Sequence, residues 1–143
     1  KMEQKLNELS EMIENLINKQ SNLVEQIKSN PNQGSLLNSQ AIKQEQRFDK
    51  FENLLIETSQ EIKEISEKTY EQLNDLNDSN IITETDSTLN KTTDNIHENK
   101  LDDALSTSEK GENNLNEIAE LVPISFNKIV ESKDKFIPKD KQV

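Results

Sequence analysis

Apolar residues recur in alternating steps of four and three over the first stretch of the chain. Met2, Leu9, Leu16 and Leu23 are one heptad apart, and Leu6, Ile13, Gln20 and Ile27 interleave with them. Placed as d and a positions, these two sets form the seam of a coiled coil. Met12, Ile17 and Val24 flank the seam and widen the apolar stripe beyond two residues per heptad. A stripe of that width suits a bundle of several helices better than a bare two-stranded coil. Gln20 is the one polar seam residue. A buried polar a position sets register or partner choice, whereas a Gln at a solvated edge does little.

The run Ser29-Asn30-Pro31-Asn32-Gln33-Gly34-Ser35 breaks this helix. Pro31 removes a backbone donor and pushes Asn30 out of helical geometry. A second helix is predicted from Ser35 or Leu36 to about Leu76. Its seam is Phe48, Phe51, Leu55, Thr58, Ile62, Ile65 and Thr69, continued after a four-residue step by Leu73 and Leu76. The Asx- and Ser-rich run 74–80 ends it, because those side chains compete for helical hydrogen bonds. A third helical stretch is predicted over 83–121. Its seam is weak at Ile82, Leu89 and Ile96 and stronger at Leu101, Ala104 or Leu105, Ser108, Leu115, Ile118 and Leu121 or Val122. Gly111 predicts a kink or fraying point, at about 1 kcal/mol relative to Ala. After Val122-Pro123, Phe126, Ile129 and Val130 predict a short amphipathic helix capped by Ser125, then a charged, flexible tail.

The predicted fold is therefore all-α: an elongated antiparallel helical bundle or coiled coil of about three long helices plus a short C-terminal helix. Residues 1–122 form the bundle and 123–143 the short helix and tail. Composition supports this. Hydrophobic residues are 30% of the chain and aromatics 3%, enough for narrow seams and too few for a thick interior. Two Gly and three Pro are too few for the many turns of an all-β fold.

Charge and chemistry narrow the function classes. A net charge of −11 makes nucleic acid a poor partner, since that binding rests on phosphate neutralisation, and disfavours an anionic membrane surface. No apolar run is long enough for a membrane span. Without cysteine there is no disulfide, thiolate metal site or cysteine nucleophile. No secretory leader is evident, which favours an intracellular setting; a secreted or surface-anchored one follows if Lys1 is a processed end. His97, the single histidine, has Asp94, Asp102 and Asp103 at helical spacing but no accompanying nucleophile or glycine-rich loop, so no catalytic residue is expected. The spacing Asp75-x-Asn77-x-Ser79 with Thr83 and Asp86 echoes a calcium-binding loop, yet Asn80 stands where Gly makes the sharp turn and Asp86 where a longer Glu binds. No metal or cofactor is expected.

What remains is association. The expected function is a non-enzymatic structural or interaction protein, a coiled-coil assembly subunit or scaffold acting by heptad-directed helix pairing. Its partners would be protein helices in a homo- or hetero-oligomer, held by Leu6, Leu9, Ile13, Leu16, Gln20, Leu23 and Ile27. The later helices offer that stripe weaker matches, which points to a partner on another chain. The alternative is a surface-exposed or secreted helical-bundle binding protein, such as a bacterial lipoprotein-type antigen that captures a host ligand.

Overall fold

The computed structural model describes residues 2–122; the expected helix at Phe126, Ile129 and Val130 and the tail lie outside them. The described residues are all-helical: α1 (Met2–Ser29), α2 (Gly34–Ile62), α3 (Glu67–Asn77), α4 (Asn80–His97) and α5 (Leu101–Leu121). The fold class is as expected, but five helices replace the predicted three. Two breaks account for the difference.

The first divides the predicted second helix. The amides of Ile65 and Ser66 both donate to the Ile62 carbonyl, at 2.9 and 2.8 Å, and close α2. Ser66 then adopts extended geometry (φ −149°, ψ 104°), and its hydroxyl accepts from the Thr69 amide at 3.2 Å to start α3. Side-chain capping of this kind satisfies an otherwise orphaned helical donor. The second break divides the predicted third helix at Asn99, whose φ of 59° is left-handed. The Lys100 amide donates to the Asn95 carbonyl at 2.7 Å and the Asn99 amide to that of Ile96 at 3.0 Å. This is a Schellman ending with Asn, one of the few residues that tolerates the left-handed region, at the position past the cap.

Helices α1, α2, α4 and α5 are packed in a ring, α1 beside α2, α2 beside α4, α4 beside α5 and α5 beside α1. Neighbours run antiparallel. Lys5 reaches Glu57 and Glu61 while Gln20 meets Gln44, and Glu45 meets Thr93 across α2 and α4. One end of the ring carries the α1–α2 and α4–α5 connections and is the loop end. At the other, the α3 end, α3 lies against α2 and inserts Leu73 and Leu76 into the core.

Every ring helix buries a four–three series. In α2 it is Leu37, Ala41, Gln44, Phe48, Phe51, Leu55, Thr58 and Ile62; in α4, Ile82, Thr85, Leu89, Thr92 and Ile96; in α5, Ala104, Ser108, Gly111, Leu115 and Ile118. The heptad is thus continuous through positions held by Ala, Thr, Ser, Gly and Gln. Ile65, expected in the seam, is 45% exposed because α2 has already ended. Apart from Val24, the buried hydrophobic residues separate into two clusters. Fifteen residues, including Phe48, Phe51 and Leu115, fill the α3 end and the middle. Six residues, Leu23, Ile27, Leu37, Ala41, Ile96 and Ala104, fill the loop end.

Candidate functional site

The residues expected to bind a partner helix are covered from within the chain. Leu6, Leu9, Ile13, Leu16, Gln20, Leu23 and Ile27 are all 4% exposed or less. Leu6, Leu9, Ile13 and Leu16 belong to the larger cluster and Leu23 and Ile27 to the smaller. Met12 and Ile17 pack half-buried on the larger cluster, and Val24 is buried. A partner helix could reach this stripe only by displacing α2 or α5.

Between the clusters lies a polar layer centred on Gln20. Its side-chain nitrogen donates to the Ser108 carbonyl of α5 at 2.9 Å. Its oxygen accepts from the Gln44 amide of α2 at 2.8 Å. The same Gln44 nitrogen donates to the Leu16 carbonyl at 2.9 Å, and the Gln44 oxygen accepts from Arg47 at 3.0 Å. Three helices are joined by amides that have almost no exposure to water. Buried polar groups that are fully paired fix a unique arrangement, and unpaired ones are costly. On the α4 side, Thr92 and Thr107 hydroxyls approach to 2.9 Å and link α4 to α5.

Gly111 makes room for this layer. A Cβ there would lie 2.9 Å from the Gln20 nitrogen and 3.4 Å from a Leu89 methyl. The expected kink is not found: α5 runs unbroken through Gly111. The glycine serves close approach between helices. The small residues that made the later seams look weak are in part the complement of Gln20.

A second polar cluster lies on the outer face of α2 and α4. Glu45, Asp49 and Glu52 follow one another at helical spacing on α2, and Asp86 and Thr93 come from α4. One carboxylate oxygen each of Asp49, Glu52 and Asp86 lie within 4.8 Å of one another. Thr93 donates to Glu45 at 2.5 Å. Partial burial and the nearby Asp86 and Asp49 carboxylates push Glu52 up to about 7. Burial, reinforced by Asp49, also raises Asp86. Burial raises Glu45 too, against the Thr93 hydrogen bond. The three converging oxygens match the oxygen preference of a hard cation but supply only part of the six to eight ligands calcium takes. This cluster was missed in the sequence because its members are separated by tens of residues and meet only when α2 and α4 pair.

The calcium-like spacing at Asp75 is not a loop. Asp75 and Asn77 end α3, only Asp78 and Ser79 intervene, and Asn80 through Asp86 lie within α4. His97 is exposed in the last turn of α4. Asp102 and Asp103 belong to the first turn of α5, where carboxylates complement the helix dipole. No helix among the described residues is long and apolar enough to cross a membrane.

Comparison with known proteins adds no family: no protein-family model matches the chain, and neither curated proteins nor solved structures give a match.

Proposed function

We propose that this chain is a non-enzymatic structural or interaction protein, an acidic helical-bundle subunit of a larger assembly. Heptad pairing operates within the chain and builds a closed bundle, and protein partners dock on its outer faces. The observation that carries this reading is the closure of the seam: Leu6 to Ile27 are buried against α2 and α5, and Gln20 and Gln44 hold those helices together. One outer face gathers the carboxylates of Asp49, Glu52 and Asp86 on α2 and α4. Carboxylates crowded together and partly removed from water favour a partner that brings positive charge. A basic protein segment is the expected match.

The test is reversal of this face in the full chain with Asp49→Lys and Asp86→Lys together. Chains that co-purify with the wild-type protein should be lost while far-UV helicity is retained. A partner that still binds the reversed face, or light scattering that finds the native protein always alone, would remove this reading.

A further inference from the structure

We infer that the Gln20–Gln44 layer divides the bundle into two units of unequal stability, so that the loop end opens while the α3 end stays folded. The inference stands apart from the function proposed above. The hydrophobic contents of the two ends set the inequality. The α3 end holds fifteen buried hydrophobic residues, among them the stacked pair Phe48 and Phe51, with ring centres 6.0 Å apart. The loop end holds seven, the six of its cluster and Val24, of which Ala41 and Ala104 contribute little, and its flanking Leu101 and Leu105 are only half buried.

The boundary of the opening follows from the polar layer. Separating helices within an apolar cluster exposes hydrocarbon to water, with a penalty that grows with every residue uncovered. Separating them as far as Gln20 and Gln44 exposes amides that water solvates well, so the penalty stops growing there. Cooperative opening units end where such couplings are weak. The loop-end unit comprises residues 21–43 and 93–107, connections included, and the remainder of the bundle forms the other unit. Opening the loop end uncovers Leu23, Ile27, Leu37 and Ile96 together, a transient apolar surface absent from the closed bundle.

Native-state hydrogen exchange across a denaturant series, on the full chain, tests this. Amides of the loop-end segments should exchange on the order of tenfold or more faster than those at 48–62 and 111–118, with a shared and shallower denaturant dependence. Fraying of helix ends would instead speed only the outermost turns and give no shared dependence. A conservative variant in each unit supplies a second readout. Ile118→Val weakens only the closed α3 end, so it should speed exchange there by roughly threefold to tenfold and leave the loop-end opening unchanged. Ile96→Val weakens a contact absent from both opened forms and should speed exchange in both units. One common exchange isotherm for the wild-type protein, or equal acceleration of both units by Ile118→Val, overturns the division.

Discussion

The two ends of the bundle use the same heptad with different contents. At the α3 end the seam positions hold mostly Leu, Ile and Phe, with Thr58 and Thr85 among them, and α3 adds Leu73 and Leu76. At the loop end they include Ala41 and Ala104, and the boundary between the two is built from Gln20, Gln44, Ser108 and Gly111. The comparison separates two roles of a heptad. Large apolar residues supply stability, while a paired polar residue fixes which helices meet and in what register.

The largest expected effect breaks the stronger end. Phe51→Ala removes a fully buried ring from the larger cluster and should lower unfolding free energy by about 3–5 kcal/mol in denaturant titration. Ala41→Gly at the loop end should lose far less, about 1 kcal/mol, chiefly through helix propensity. Similar losses at the two positions would mean that the ends do not differ in packing.

The boundary is tested by unpairing it. Gln44→Leu leaves the Gln20 oxygen buried without its donor and should destabilise by about 1–3 kcal/mol. Adding Gln20→Leu removes the orphaned group as well, so the double variant should recover part of that loss and join the two clusters into one core. A double-mutant cycle measures the coupling, and strictly additive losses would show that the amides do not act as a pair.

A smaller effect is expected at Gly111. Ala there adds about 1 kcal/mol of helix propensity but forces the pinned Gln20 amide to move. The net result should be a loss of about 1 kcal/mol, since displacing that amide weakens a buried hydrogen bond. A melting temperature that rises in Gly111→Ala would show that the layer has slack.

The acidic face gives an effect of similar or smaller size, dependent on pH. Glu52 is raised from 4.5 to about 7, so the folded chain keeps its proton at pH values where the unfolded chain has lost it. Its contribution therefore favours folding below 4.5 and is lost as pH rises toward 7. Glu52→Gln should stabilise the protein at pH 7.5 by at most about 1 kcal/mol, after discounting for solvent screening at this half-exposed position. The same variant should flatten the rise in stability expected of the wild type between pH 7.5 and 5.5. An unchanged pH slope would remove Glu52 as its source.

Much of α1 was legible in the sequence because Leu and Ile occupy its heptad positions so regularly. Its seam residues Leu6, Leu9, Ile13, Leu16, Gln20, Leu23 and Ile27 are buried where the periodicity predicts, and the Pro31 break separates α1 from α2. The partner of that seam was not legible. Thr85, Thr92 and Gly111 read as gaps when hydrophobicity alone is scored, yet they are buried heptad positions. The break at Ser66 had only a weak signal, a serine three residues ahead of Thr69, and Asn99 had none from periodicity. The acidic cluster had no local signal, since Asp86 is brought to Asp49 and Glu52 by packing.

The sequence by itself determined that the chain is helical, that its helices carry heptad seams and that it is strongly acidic. These follow from spacing and composition, which are local and additive. Only the tertiary structure decided what faces what: that Gln20 is buried between Gln44 and Ser108, that Gly111 leaves space for it, and that three carboxylates crowd together across α2 and α4. A heptad specifies a face and not its partner. Partner choice rests on complementarity of size and hydrogen bonding between residues distant in the chain, which one-dimensional periodicity does not encode.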